Sequence, residues 1–183
     1  MKGPAGKHDN EQQRVEPIFI DFEASSLDLI CSYPIEVGVA LPDGRVGSWL
    51  IRPAPTWHDW SVEAERIHGI HRQRLDREGQ EVLEVALALN ETIHEVCYCD
   101  AWTFDSFWLH RLFRAARIKP TFRLESIVQL LNPVQINRWS HVRRKVIRDM
   151  GLLTHRAGND ARILLQTWLR LGESDALTES GMI

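Results

Sequence analysis

An α/β fold, with a mixed sheet covered by helices on its faces, is what this sequence predicts, and three patterns predict it. Apolar runs with strand character come early, at residues 18–24, 35–41 and 45–52, with a Pro42-Asp43-Gly44 turn signal between the last two. Segments with helical spacing of apolar residues follow, interrupted by one short strand-like run at 96–99. The last third of the chain is helical in pattern. A meander followed by helix-linked strands closes into a sheet whose faces must both be covered.

The elements follow in chain order. A polar lead-in, expected to be disordered over residues 1–16, opens onto the strand Ile-Phe-Ile-Asp-Phe-Glu-Ala at 18–24. The hairpin comes next, then a loop at 53–60 rich in Pro and Trp. Short helical pieces at 62–66 and 72–77 flank His68-Gly69-Ile70. A helix over 80–93 carries Val82, Val85, Ala86, Leu89 and Ile93 on one stripe. After the 96–99 run, Thr103 is positioned to cap a helix bearing Phe104, Phe107, Trp108, Leu112, Phe113 and Ala116. Further helices are expected at 124–131, 138–150 and 159–171, with a flexible tail at 172–183.

Bulk properties narrow the classes of function. A chain of 183 residues has room for one domain and little for a second core. Its 44% hydrophobic and 26% charged content is that of an ordinary globular protein. No apolar run is long enough to cross a bilayer, and the polar start lacks a signal-peptide core, so a cytoplasmic location is expected. Cys31, Cys97 and Cys99 form no disulfide framework, and Cys97-Tyr98-Cys99 reads as buried strand thiols rather than a zinc site. A net charge of −3 argues against a broad clamp on duplex DNA but permits a small site for one strand end. Basic residues cluster at Arg111, Arg114, Arg117, Lys119 and Arg123, and again from Arg138 to Arg148. Most read as solvated helix faces, with a few lining the approach to a site.

The chemistry-bearing residues lie in three places. Asp21 and Glu23 interrupt an apolar strand two positions apart, so they share a face, roughly 6–7 Å apart at the backbone. Ile18, Ile20 and Phe22 take the opposite face. Two like charges on a central strand are destabilising unless a cation sits between them, and oxygen ligands suit Mg²⁺ or Mn²⁺. Asp105 falls in a first helical turn, where the helix dipole favours an anion. Asp160 falls in another first turn, behind Asn159 as cap and near the inward stripe of Ala161, Leu164, Leu165 and Trp168. His155 precedes it in a loop. Singly, each of these also suits a purely structural role.

In combination they carry a resemblance. Asp21-Phe22-Glu23, Phe104-Asp105 with Leu109 following, and His155-Arg156-Ala157-Gly158-Asn159-Asp160-Ala161 resemble the three motifs of the DEDDh 3′→5′ exonucleases. That is the family of the proofreading subunit of bacterial DNA polymerase III and of ribonuclease T. Ile67-His68-Gly69-Ile70 resembles the H-G-I element that such enzymes carry between the first two motifs. The resemblance spans residues 18–171 and implies an exonuclease domain at 17–171 with a ribonuclease H-like, five-stranded mixed sheet flanked by helices.

It further implies two divalent ions, Mg²⁺ or Mn²⁺, held by Asp21, Glu23, Asp105 and Asp160, with His155 as general base. Single-stranded DNA or RNA 3′ ends would be the substrates, and 5′-nucleoside monophosphates the products. Phe22, Ala24, Ser25 and His68 would meet the terminal nucleotide, although strand parity turns the Phe22 side chain toward the core. Trp102 and the Trp57/Trp60 pair are candidates for base stacking, and Trp108 belongs to the buried stripe. Some relatives act as homodimers or in larger nucleic-acid-processing assemblies.

Two departures stand out: Ser26 where the family often has glycine, and Cys99-Asp100-Ala101 where it often has His-Asn. An oligoribonuclease-like preference for very short RNA is a competing reading. A non-catalytic nucleic-acid-binding or assembly domain on the same fold is another.

Overall fold

The computed structural model describes residues 16–180; nearly all of the expected disordered lead-in lies outside them. Strands β1 (Ile18–Ala24), β2 (Pro34–Ala40) and β3 (Val46–Leu50) form the antiparallel meander. Helices α1 (Val62–His68), α2 (Arg72–Glu78) and α3 (Val82–Thr92) lead to β4 (Val96–Cys99), which pairs parallel to β1. Helix α4 (Trp102–Ala116) then leads to β5 (Arg123–Ser126), parallel to β4. Helices α5 (Pro133–Met150) and α6 (Ala157–Ser180) complete the chain. The sheet order is β3-β2-β1-β4-β5, a five-stranded mixed sheet flanked by helices, with the ribonuclease H-like architecture.

Strand parity divides the core. On one face, Ile20, Phe22, Ile35 and Val37 pack with Val85 and Leu89 of α3 and with Leu109, Leu112 and Phe113 of α4. On the other, Phe19 and Ala40 meet Ala161, Leu164 and Leu165 of α6. Helix α5 closes over α6 through Val142, Val146, Ile163 and Leu171. Trp57 is buried in the first cluster and stacks on Tyr33 at 5.1 Å between ring centroids, so its role is packing rather than base stacking. Cys97 and Cys99 are buried thiols.

Three local expectations change. Residues 123–130 form β5 and a short 3₁₀ turn (Ile127–Leu130) instead of a helix, because parallel pairing with β4 offers the backbone a ladder that a single turn of apolar spacing cannot match. Helix α4 begins behind Ala101, with no side-chain cap, rather than at Thr103. The last helix starts at Ala157, ahead of Asn159, and runs through Gly172 to Ser180, where a loose tail was expected. One helical glycine costs only about 1 kcal/mol, too little to end a helix anchored over its first four turns.

Gly38 decides where α6 sits. A Cβ built there would lie 2.2 Å from the Ala157 carbonyl carbon, so the first turn of α6 rests directly on the backbone of β2. Gly38 pairs with Asp21 across the sheet, so this close approach is also what brings α6 over the acidic face of β1. Gly38→Ala should therefore destabilise the protein by about 2–4 kcal/mol in urea unfolding, because backbone rather than a flexible side chain must move.

Candidate metal centre

Asp21 and Glu23 leave the same face of β1, and Asp160 descends on them from the first turn of α6. Ligand oxygens from these residues lie within 4.8 Å of one another. Asp105 stands outside that triad but lines the same cleft, from the first turn of α4, and is only 1% exposed. Its Oδ2 is buried without a hydrogen-bond partner. The cleft encloses about 580 Å³ and also takes in Ala24, His68 and His155.

The electrostatics of this acidic cluster are adverse. Burial, then the charges of Asp105, Asp160 and Glu23, holds the Asp21 carboxyl well above its usual range. Burial, with Asp160 and Glu36 adding to it, pushes Glu23 up to about 8. Burial likewise raises Asp105 to about 7, although backbone N–H groups of Ala101 and Phe22 oppose the shift. Asp160 is raised by burial too, against the N–H donors of Arg156 and His155. Four converging carboxyls that resist ionisation, one with an unpartnered oxygen, form a donor set suited to a hard divalent cation.

Asp160 is held in place by the loop before it. Its Oδ2 accepts the backbone N–H of His155 at 2.6 Å and of Arg156 at 3.2 Å. His155 adopts φ = 60°, a left-handed conformation uncommon outside glycine, and its exposed side chain lines the cleft. Below the loop, Glu36 of β2 is buried at 1% exposure. It accepts bonds from Arg156 Nε at 3.0 Å and Nη2 at 2.6 Å, from the Ala157 N–H at 3.0 Å, and from Ser48 Oγ at 3.1 Å.

Among the residues expected at the terminal nucleotide, the outcome is mixed. Ala24 and Ser26 line the cleft, whereas Ser25 is fully buried. The Ser25 hydroxyl donates to Asp59 Oδ2 at 2.8 Å and accepts the Tyr33 N–H, so it ties the β1–β2 connection to the loop at 53–60. Ser26 donates to the same Asp59 oxygen at 2.7 Å, which gives the residue that replaces glycine a structural partner. The Phe22 side chain packs in the core, as strand parity requires, although the residue also borders the cleft.

His68 closes α1, where Gly69 takes φ = 67°. Its Nδ1 accepts the Ile70 N–H at 3.0 Å, which leaves the proton on Nε2, and that atom is buried without a partner. Burial lowers its pKa to about 4, so the ring is a neutral N–H donor beside the cleft.

Sequence reasoning missed Glu36 and the particular part played by Arg143. Glu36 was visible as a lone carboxylate in the apolar run Ile-Glu-Val-Gly-Val-Ala-Leu. Arg143 of α5 stands between Asp100 Oδ2 at 3.5 Å and Asp160 Oδ1 at 3.7 Å, a cation on the rim of the acidic cluster. Nothing in its basic stretch distinguished it from Arg144 or Arg148.

Raised carboxyl pKa values imply a definite pH response. Protons bind the folded state more tightly than the unfolded one, so this stability is fully present below about pH 4 and is lost as pH rises through 7 and 8. In EDTA, the melting temperature should fall by roughly 5 °C or more between pH 5 and 8.5, and Mn²⁺ should restore it at the upper end. Scanning fluorimetry across pH, with and without Mn²⁺, reads this directly.

No protein-family model matches the chain, and no curated protein sequence does. Among solved structures, the chain is similar to an E. coli exonuclease I in complex with a dA16 oligonucleotide, at TM-score 0.61 and 14% identity over 86% of this chain and 42% of that one. A zinc-ion-bound E. coli exonuclease I–single-stranded DNA complex matches at TM-score 0.61 and 14% identity, over 81% of this chain and 38% of that one. The exonuclease I of Methylocaldum szegediense matches at TM-score 0.53 and 15% identity, over 67% and 29%. The chain thus spans less than half the length of these structures. No helix among the described residues is long and apolar enough to cross a membrane.

Proposed function

We propose that this chain is a metal-dependent 3′→5′ exonuclease of the DEDDh type that trims single-stranded nucleic acid to 5′-nucleoside monophosphates. The observation that carries this reading is the convergence of Asp21, Glu23 and Asp160 within 4.8 Å, with buried Asp105 beside them and His155 on the rim. Similarity in fold to exonuclease I structures, some solved with single-stranded DNA and one with zinc, supports it.

Asp21, Glu23, Asp105 and Asp160 would hold two divalent ions, Mg²⁺ or Mn²⁺. Once bound, such ions offset the carboxylate charge, polarise the phosphate and make nearby water more acidic. The chain's own groups do the rest. His155 would accept the proton of the attacking water, the general-base role that an imidazole at the edge of a cleft can fill. Its backbone N–H bond to Asp160 couples the base to a metal-binding carboxylate, so the two keep a fixed relation. His68, neutral and with an unpartnered Nε2–H, would donate to a phosphate or sugar oxygen. Arg143 brings a fixed positive charge to the rim of the cleft, within 3.7 Å of Asp160 Oδ1, where it would attract a substrate phosphate.

With 5′-labelled single-stranded DNA and RNA in Mn²⁺, the wild type should ladder substrate from the 3′ end, and EDTA should stop it. Asp160→Asn should lower the rate at least about 10³-fold, and His155→Ala about 10²–10⁴-fold, with melting temperatures close to wild type. Retention of most activity in either variant would sink the assignment. Turnover of dinucleotides far faster than of long strands would shift the substrate to very short RNA.

A further inference from the structure

A second cleft, of about 790 Å³, opens between the loop at 53–57 and the outer side of α4. Its walls include Thr56, Trp57, His110, Arg111, Arg114 and Arg117, and among the described residues no carboxylate lines it. In a chain of net charge −3, this is a local inversion of sign. Among the described residues neither Arg114 nor Arg117 has an acidic partner, and both are exposed. Arg111 sits between them and the core. Its Nη1 donates to the Ile30 carbonyl at 3.0 Å, its guanidinium lies 5.8 Å from the Phe107 ring centroid, and its Nε is buried with no partner.

Two features go against what folding alone would favour. Like charges three residues apart on a helix, as at Arg111 and Arg114, repel one another. Arg117 takes the left-handed C-cap conformation at φ = 57°, a place that glycine fills with less strain. An anionic ligand would relieve the repulsion and give the strained arginine a purpose.

Helix α4 joins this groove to the candidate metal centre. Phe104, Asp105 and Trp108 face the acidic cleft, while Phe107, Arg111 and Arg114 face the basic one. Arg114 lies nine positions after Asp105, about 13–14 Å along the helix axis. The β1–β2 connection reaches both clefts, with Leu27 lining the acidic one and Ile30 bonded to Arg111 of the basic one.

We infer that the α4 groove binds the phosphate backbone of the same single strand whose 3′ end enters the acidic cleft, a few nucleotides upstream of the end. This inference rests on the exonuclease reading for the identity of its ligand. The groove selects a strand by charge, without reading its sequence.

The double variant Arg114→Gln/Arg117→Gly tests it in the whole 183-residue chain, since glycine fits the backbone at 117 and neither residue lines the acidic cleft. Binding of fluorescent dT20 in EDTA, followed by anisotropy across a salt series, should weaken about tenfold in the variant. The slope of log K against log salt should shrink by about 1.4, the value for two lost phosphate contacts on a single strand. Hydrolysis of the p-nitrophenyl ester of thymidine 5′-monophosphate, which has no strand to track, should stay within twofold of wild type. Unchanged dT20 binding in the variant, no dT20 binding by the wild type, or loss of ester hydrolysis in step with strand binding would each overturn the inference. Absence of ester hydrolysis and of strand laddering in the wild type would instead count against the exonuclease reading, while the binding series still decides the groove.

Discussion

The buried carboxylate of Glu36 is the point on which the arrangement of the acidic cluster turns. It sits on β2 directly across from Glu23, and it binds Arg156 in a two-pronged fashion while capping the Ala157 N–H. A charge at 1% exposure survives only if its partners replace the water it has lost, and here four donors do so. Removing one side of such a pair typically costs about 3–5 kcal/mol, because the other is left buried and alone. The pair therefore fixes the N-terminus of α6 against the sheet. Asp160, three residues past Ala157, takes its position from that contact.

The same tie accounts for the irregular backbone next to it. With Arg156 drawn down to Glu36 and Asp160 drawing the His155 N–H inward, the chain at His155 is left with a positive φ. The strain is small, and it turns the imidazole out over the cleft while its backbone stays bonded to a carboxylate. Gly38 completes the arrangement from below, since any side chain there would lift α6 away from β1. Three unlike devices, an ion pair, a missing side chain and a left-handed residue, thus act on one short loop. They bring together groups that electrostatics would separate.

Burial on the far side of the sheet provides the rigidity this requires. Phe22 anchors β1 in the α3–α4 core between the two strand carboxylates, so Asp21 and Glu23 cannot relax by tilting apart. Asp105 is held because α4 is packed along nearly its whole inner face, from Trp108 to Ala116. The adverse charge is tolerated because apolar packing on three elements outweighs it.

Alternation in β1 and the hairpin turn at Pro42-Asp43-Gly44 could be read from the sequence, since strand faces and tight turns depend on neighbours only two or three residues away. So could the shared face of Asp21 and Glu23, and the helical stripes of α3 and α4. By itself, then, the sequence determined the α/β class, the order of most elements and the carboxylates worth considering, through local periodicity and motif spacing. It misjudged residues 123–130, whose strand exists only because β4 lies alongside, and it gave no sign that Ser25, expected at the terminal nucleotide, would be buried and tied to Asp59. Only the tertiary structure decided that Glu36 and Arg156, 120 residues apart, would pair, that Arg143 alone of its basic stretch would reach Asp160, and that one face of α4 would gather its arginines into a cleft. The physical reason is the same in each case: partners distant in sequence leave no periodic trace, and their meeting depends on how closely whole elements can approach.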